Sequence, residues 1–255
     1  MCILFIAVNR HDQYPLVLAA NRDEFYERPA TASTFWDDRP DMLAGKDVQA
    51  GGTWLGLSRS GRLAALTNVR EPQRVISNAP SRGHLVTGFL DGEPEDQLIT
   101  RLRATRDDYN GYNLLFGSWN QLSVYSNRTN DLIRLNDGFY GLSNAALDTP
   151  WPKLNRGVKA LEQRCNDSAP LNDDRLLEIL RDETKAADEH LPSTGIPLDR
   201  ERLLSSAFIR SDDYGTRCST LLTIQADGNA RWVEQLYERG EPSGRREYNL
   251  RLEAS

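Results

Sequence analysis

The 255-residue sequence has few of the residues that build metal sites and disulfide frameworks. It contains three cysteines with no CxxC pair and three widely separated histidines. A zinc ribbon, a covalent haem site and a disulfide-stapled fold are therefore not predicted, and we expect no metal site. An odd number of cysteines without a pairing pattern favours a reducing, cytoplasmic setting.

Long apolar runs and an excess of basic charge are also absent. The apolar run near the start, CILFIAV at 2–8, is far shorter than the roughly 20 residues of a membrane-spanning helix. No basic leader precedes it, so a secretory signal is not expected. The net charge of −6 gives no electrostatic reason to expect a nucleic acid or an anionic membrane surface as a partner. The sequence does not determine the oligomeric state.

Strand-length apolar runs dominate the sequence, and two helical blocks separate them. The predicted strands lie at 2–8, 14–21, 53–59, 62–69, within 113–144, and at 217–225 and 230–238. The predicted helices lie at 81–90, with Ser81 as the cap, and at 95–104, 153–165 and 171–184. Strands grouped in blocks, with helical pairs between them, predict an α+β fold of two antiparallel sheets with helices outside. We expect one domain over residues 1–255.

Cys2 follows Met1 directly and opens the first apolar run. Removal of Met1 would place a free α-amine beside the thiol. The amine titrates near pH 7.7–8.0 and a free thiol near 8.5, so one residue would supply both base and nucleophile. The alternative is a small apolar filler, because cysteine is among the most buried residue types.

The second apolar run ends in the tetrapeptide Asn21-Arg22-Asp23-Glu24. Polar groups at the end of a buried strand can line a site, and they can equally form a solvated turn. Side chains alternate along a strand, so Asn21 and Asp23 point one way while Arg22 and Glu24 point the other. Only one of these two pairs can face Cys2.

Seven short motifs occur in order along the chain. They are the N-terminal MC, NRDE (21–24), GGTWLG (51–56), TNVRE (67–71), SRG (81–83), GLSNAALDTPWPK (141–153) and YGTRCST (214–220). In this order they resemble the NRDE family, the transport and Golgi organisation protein homologues. The resemblance implies an N-terminal nucleophile hydrolase-like αββα sandwich, a fold group that includes cysteine-dependent penicillin V and bile-salt amidases.

The same resemblance implies catalytic roles for five residues. Cys2 matches the nucleophile of those amidases, and Asp23 matches the carboxylate that holds the α-amine. Asn68 and Asn144 match the polar residues near the oxyanion, and Arg217 matches a late arginine beside the site.

Four more residues are candidates for substrate binding: Asn21, Arg22, Gly52 and Trp54. The amidases separate their early arginine from the aspartate, whereas Arg22 and Asp23 are adjacent here. We therefore expect Arg22 to face away from the thiol. Gly52 is also explained by a permissive turn into a hairpin, and Trp54 by packing within a strand.

These features predict a cysteine N-terminal nucleophile hydrolase that cleaves an amide or thioester acyl bond without a required cofactor. The alternative is a non-catalytic protein on the same scaffold that binds and traffics haem or an acyl-CoA or other lipid, as the family's associations imply. For haem, the candidate ligands in the sequence are few: Cys2, Met42 and the three histidines.

Overall fold

The computed structural model describes residues 2–253, which contain thirteen strands. In chain order they are β1 (Cys2–Val8), β2 (Leu16–Phe25), β3 (Ala30–Trp36), β4 (Arg39–Asp47), β5 (Leu55–Ser58), β6 (Arg62–Asn68), β7 (Tyr112–Ser118), β8 (Gln121–Ser126), β9 (Leu132–Arg134), β10 (Gly138–Leu142), β11 (Tyr214–Ile224), β12 (Asn229–Glu238) and β13 (Glu241–Arg251). They form a six-stranded sheet in the order β10-β1-β2-β11-β12-β13 and a seven-stranded sheet in which β3 to β9 follow one another.

Five α-helices lie among the described residues: α1 (Gly83–Leu90), α2 (Glu95–Ala104), α3 (Pro152–Asn166), α4 (Asp173–Leu180) and α5 (Leu198–Leu203). Short 3-10 helices occupy Pro72–Arg74 and Asp188–His190. No helix within residues 2–253 combines the length and the apolar character needed to cross a membrane.

Strand β1 lies inside the six-stranded sheet and is buried on both faces, which explains its uninterrupted apolar sequence. Leu4 and Ile6 pack in the core between the two sheets. Ile3 and Phe5, on the opposite face, pack against α3 and α4. The apolar half of β2 divides between the same two cores.

The molecule has four layers. Helices α3 and α4 cover the outer face of the six-stranded sheet. Helix α1 packs on β5, β6 and β7 of the seven-stranded sheet, and α2 contributes Leu98 and Leu102 to the same outer core. The two sheets pack against each other through the central core. This αββα arrangement confirms the predicted α+β sandwich.

The observed elements differ from the predicted ones at several points, which include the unpredicted helix α5. Strands β3, β4 and β13 were not predicted from the sequence, because their residues are largely polar or exposed. The predicted cap at Ser81 is wrong, since α1 begins at Gly83 after Arg82 and no side chain caps it. Ser81 contributes only its carbonyl, which accepts a hydrogen bond from the His84 N–H at 3.3 Å.

Candidate active site

Strand register places Cys2 directly opposite Arg22 on β2, and Arg22 directly opposite Cys218 on β11. Opposed residues in an antiparallel pair point to the same face of the sheet. All three side chains therefore face the seven-stranded sheet, together with Leu4 of the central core. The expectation that Arg22 faces away from the thiol is wrong, because the strand pairing gives Arg22, and not Asp23, the same face as Cys2.

Asp23 points to the opposite face, toward the helix layer, and is almost completely buried. Its Oδ1 accepts a hydrogen bond from the Thr216 hydroxyl at 2.7 Å. The backbone of Asp23 nevertheless lies one residue from the Cys2–Arg22 pair, at the end of the cleft. Its carboxylate is thus placed beside the start of β1 rather than beside the thiol.

Asn21 shares the face of Asp23 and has a structural set of contacts. Its side-chain amide donates to the carbonyls of Leu180 and Ala207 at 2.8 and 2.9 Å. Its Oδ1 accepts from the Ser219 hydroxyl at 2.6 Å. These bonds connect β2 to β11, to the last residue of α4 and to the segment that follows α5, so the Asn21 side chain is fully engaged away from the cleft.

A β-bulge in β11 explains the position of Arg217. Thr216 opposes Asp23 and Cys218 opposes Arg22, which leaves Arg217 as the extra residue between them. The Arg217 Nη1 donates to three carbonyls, at 2.9, 3.2 and 3.1 Å: those of Phe25, Tyr26 and Arg28. Bulges commonly redirect a side chain next to an active site. Here the bulge directs Arg217 toward residues 25–28, and its hydrogen bonds hold this segment, which forms part of one wall of the cleft.

A cleft of about 1010 Å³ opens between the two sheets beside Cys2. The six-stranded sheet contributes Cys2, Arg22 and Arg217 to its lining, and Trp54 and Asn68 lie on the opposite wall. Its size is at the upper end of typical small-molecule sites. The cleft can therefore accommodate a ligand considerably larger than an amino acid.

Burial dominates the electrostatics of the thiol. It raises the pKa of Cys2 to about 11, the charge of Asp23 acts in the same direction, and Arg22 opposes both. Burial likewise raises the pKa of Asp23, against the opposing effects of the Lys153 charge and the Thr216 hydrogen bond. A thiol in this environment is protonated at neutral pH and requires a base before it can act as a nucleophile.

Arg22 is the cation aligned with the thiol. Its side chain is 9% exposed, and its Nη2 lies 3.9 Å from the Glu24 carboxylate. Its Nη1 is buried and makes no hydrogen bond within residues 2–253. A buried donor of this kind costs free energy unless it is satisfied, so Nη1 is a ready contact for an oxygen atom of a ligand in the cleft.

The two asparagines predicted near the oxyanion are bonded to each other. The Asn144 side-chain N–H donates to the Asn68 carbonyl at 2.9 Å, and the Ser143 hydroxyl donates to the Asn144 Oδ1 at 3.2 Å. The same hydroxyl lies 3.2 Å from the Cys2 carbonyl. Asn68 lines the cleft, whereas Asn144 is fully buried behind it. Asn144 therefore connects the two sheets next to Cys2.

Gly52 is explained by a close approach of two backbones. A Cβ atom on Gly52 would lie 2.6 Å from the carbonyl carbon of Gly83, at the start of α1. The GGTWLG and SRG motifs are therefore in direct contact. Trp54 is half-buried, packs on the central core and borders the cleft.

Sequence reasoning missed a group of buried charged residues behind Asp23: Arg70, Lys153 and Glu201. Arg70 belongs to the TNVRE motif and Lys153 ends the GLSNAALDTPWPK motif. In the sequence, Lys153 is only a lysine at the start of a predicted helix. The packing of α3 is what shows that its side chain is buried.

The polar lining of the cleft combines cysteines and arginines with carboxylates, among them Glu24, Asp47 and Glu234. Within residues 2–253, no three histidine, cysteine or acidic residues are grouped in a way that could hold a metal ion. No histidine among the described residues lines the cleft, so Cys2 and Cys218 are its soft ligand donors.

Comparison with known proteins gives consistent matches over most of the chain. The family model described as Transport and Golgi organisation 2 matches residues 1–239. A Bos taurus protein, Transport and Golgi organization protein 2 homolog, is 36% identical over 264 residues, which cover 95% of both chains. The Homo sapiens homolog of the same name is 36% identical over 256 residues, or 92% of both chains.

Among solved structures, the mutant C2A conjugated bile acid hydrolase from Clostridium perfringens matches with a TM-score of 0.55. The match covers 98% of this chain and 92% of that chain, at 8% sequence identity. At this identity the likeness concerns the fold alone, which is that of the N-terminal nucleophile hydrolases.

Proposed function

The chain belongs to the Transport and Golgi organisation 2 family, and on that basis we propose that it is a cysteine N-terminal nucleophile hydrolase that cleaves an amide or thioester acyl bond. The observation that supports the proposal most directly is the position of Cys2. Its side chain borders a cleft of about 1010 Å³, opposite Arg22, with Asp23 one residue away. The proposed nucleophile and the Arg22 cation thus share one face of the sheet, and the Asp23 carboxylate lies on the other face, one residue away.

The proposed reaction begins when removal of Met1 frees the α-amine of Cys2. The amine takes the proton of the thiol, and the sulfur attacks the carbonyl carbon of the acyl group. Collapse of the tetrahedral intermediate breaks the bond to the leaving group, which receives the proton from the α-ammonium. The acyl group is then bonded to the Cys2 sulfur.

A water molecule completes the cycle. The α-amine takes a proton from the water as its oxygen attacks the thioester, and the sulfur leaves and recovers that proton. In this scheme Asp23 orients the α-amine, and Asn68, backbone N–H groups and the Arg22 Nη1 are candidate donors to the oxyanion. Asn144 holds Asn68 in place through one of its two side-chain N–H groups, which donates to the Asn68 carbonyl.

The proposal depends on Met1, which lies outside the described residues. A retained Met1 would block the α-amine, and the base would have to come from elsewhere. Intact mass measurement of protein purified from its native host gives the answer directly. We expect a mass that lacks the initiator methionine.

Substitution of the nucleophile tests the activity. A panel of fatty acyl amides and fatty acyl thioesters is first screened for compounds that the wild-type protein hydrolyses. We expect Cys2→Ala to abolish hydrolysis of each of these compounds. Cys165→Ala is the matched control, because Cys165 is buried in the helix layer away from the cleft. Turnover by a folded Cys2→Ala protein at the wild-type rate would contradict the proposal, as would an inactive Cys165→Ala protein that folds normally.

A binding and trafficking function on the same scaffold is a second candidate, and the raised pKa of Cys2 favours it. A thiol with a pKa of about 11 is a poor nucleophile at neutral pH. The large cleft suits a ligand with acidic groups, as does the Arg22 Nη1, which has no hydrogen bond to any described residue. If haem binds in the cleft, Cys2 and Cys218 are the residues that would hold its iron, and if acyl-CoA binds there, the arginines would contact its phosphates.

Titration separates the two candidates. Saturable binding of one equivalent of haem or of a long-chain acyl-CoA, without turnover and weakened by Arg22→Gln, would support the binding function. Absence of saturable binding by either ligand would eliminate it.

A further inference from the structure

Exposed apolar side chains are concentrated around the mouth of the cleft. Within residues 2–253, the large apolar side chains that are 40% exposed or more are Phe25, Val48, Val75, Ile76, Ile133 and Leu198. Phe25 and Val48 are each flanked on both sides by residues that line the cleft, and Ile76 directly precedes the lining residue Ser77, with Val75 before it. These four side chains, Phe25, Val48, Val75 and Ile76, form the apolar collar.

The backbone that carries the collar is fixed by hydrogen bonds. Phe25 is the last residue of β2. The Val48 N–H donates to the Pro29 carbonyl at 3.1 Å, which connects the turn after β4 to the segment after β2. Ile76 exchanges two hydrogen bonds with the Asn110 side chain, at 2.7 and 3.0 Å. The collar therefore includes residues from both sheets and from the connection between β6 and α1, so both walls of the cleft contribute to it.

The packing of the protein does not account for the collar. None of its four side chains belongs to one of the hydrophobic cores among the described residues, and Val48 and Val75 are 54% and 68% exposed. A single exposed apolar side chain is ordinary on a protein surface. Several of them grouped around the mouth of a large cleft indicate a surface that binds another body.

The charged residues beside the collar carry both signs. Glu27, Glu238 and Arg239 are exposed residues of the cleft lining, and the exposed Arg74 directly precedes Val75. A strongly anionic surface would meet carboxylates as well as arginines here. A phosphatidylcholine headgroup carries one phosphate and one ammonium group, so it can contact charges of both signs. The charges thus favour a zwitterionic lipid surface.

We propose that the apolar collar docks the protein on the surface of a zwitterionic lipid bilayer, with the mouth of the cleft facing the lipid. The proposal rests on the proposed function, because it is the expected fatty acyl substrates that partition from water into lipid. The collar side chains enter the boundary between headgroups and acyl chains, and the strength of binding grows with the apolar area that they bury. A substrate can then pass from the bilayer into the cleft.

The test is co-sedimentation of the full chain with sucrose-loaded phosphatidylcholine vesicles. The test variant is Val48→Ser/Val75→Ser, which removes the two most exposed side chains of the collar. Ile133→Ser is the matched control, because Ile133 is 44% exposed on β9, a strand that contributes no residue to the cleft lining. Urea denaturation verifies that each protein is folded.

We expect the wild type to partition onto the vesicles and Val48→Ser/Val75→Ser to lower the partition coefficient about tenfold or more, because two apolar side chains no longer enter the lipid. Ile133→Ser should leave the partition coefficient unchanged.

A gain of binding provides a second measurement. Val75→Trp should raise the partition coefficient, since tryptophan favours the membrane interface, and vesicles of brominated phosphatidylcholine should quench its fluorescence more than that of the wild type. Ile133→Trp should show neither effect. If Val48→Ser/Val75→Ser does not fold, this pair of variants decides the question.

The proposal is overturned if the wild type does not sediment with phosphatidylcholine vesicles, if it does so only after phosphatidylserine is added, or if the Ile133 variants behave like the collar variants. Collar-dependent self-association without vesicle binding would also overturn it, by assigning the collar to a second copy of the chain. Sedimentation requires no turnover. An inactive protein that binds vesicles through the collar would therefore contradict the proposed hydrolase alone, and an active hydrolase that ignores vesicles would contradict the docking alone.

Discussion

Cys2 and Arg22 stand directly opposite each other on adjacent antiparallel strands, and both side chains point into the cleft between the sheets. Asp23, the next residue along, points into the helix layer and bonds to Thr216. Arg22 and Asp23 are adjacent in the NRDE motif, but Arg22 lies on the thiol side of the sheet and Asp23 lies on the helix side. Under the proposed function, this division leaves Arg22 on the same face as the Cys2 thiol and Asp23 on the opposite face.

Arg22 should determine the pH at which Cys2 becomes reactive. Its charge lowers the pKa of the thiol, which burial raises to about 11. We expect Arg22→Gln to shift the pH profile of Cys2 alkylation by iodoacetamide to higher pH and to slow alkylation at pH 8 on the order of tenfold, the effect of about one pKa unit. Arg22→Lys keeps the charge and should shift the profile less. An Arg22→Gln profile identical to the wild-type profile would show that the two groups are not coupled.

Gly52 should tolerate no side chain. A Cβ atom there would lie 2.6 Å from the Gly83 backbone, so we expect Gly52→Ala to lower the free energy of unfolding by about 1–3 kcal/mol, as in other overpacked sites. Gly88→Ala, within α1, is the control, because its Cβ would meet side-chain atoms only at 3.5 and 3.7 Å. That substitution should raise stability by about 0.5–1 kcal/mol. Urea denaturation measures both, and equal effects would contradict the packing argument.

The Arg70–Glu201 ion pair should be far more sensitive to the loss of one partner than to the loss of both. Arg70→Met leaves the Glu201 carboxylate buried without its cation, so we expect a loss of about 3–5 kcal/mol in the free energy of unfolding. Arg70→Met/Glu201→Met should recover much of that loss. In the exposed pair of Arg202 and Asp188, Arg202→Met should leave the urea midpoint unchanged. A double variant less stable than Arg70→Met would contradict this prediction.

Glu234 should make the fold less stable as the pH rises. Burial raises its pKa above the ordinary value of 4.5, although the Ser33 N–H and hydroxyl donate to its carboxylate. The folded state thus holds the proton more tightly than the unfolded state, and the free energy of unfolding falls as the pH rises from about 4.5 through the folded pKa.

Glu234→Gln removes this titration. We therefore expect the free energy of unfolding of the wild type, minus that of the variant, to decline across that pH range when both are measured by urea denaturation. Glu238→Gln, at the exposed end of the same strand, is the control and should show no such trend. A stability difference between wild type and Glu234→Gln that stays constant from pH 4 to pH 8 would contradict the assignment.

The sequence by itself determined the fold class, the family and the central elements. Residues 2–8 and 95–104 were predicted with the bounds that the structure has, because a doubly buried strand and an amphipathic helix each carry a strong local pattern. The edge strand β13, with the sequence EPSGRREYNLR, carries no such pattern because most of its side chains are exposed. It forms a strand only because β12 is present to pair with it.

The arrangement of the site was decided by the tertiary structure. Alternation along β2 divides Arg22 from Asp23, but only the register with β1 determines which of them faces Cys2, since a slip of one residue would exchange their faces. Lys153 lies 130 residues beyond Asp23 in the sequence and reaches the back of the site only because α3 packs on β1. Local patterns record the burial of each segment, whereas pairing and packing over the whole chain determine which charges meet.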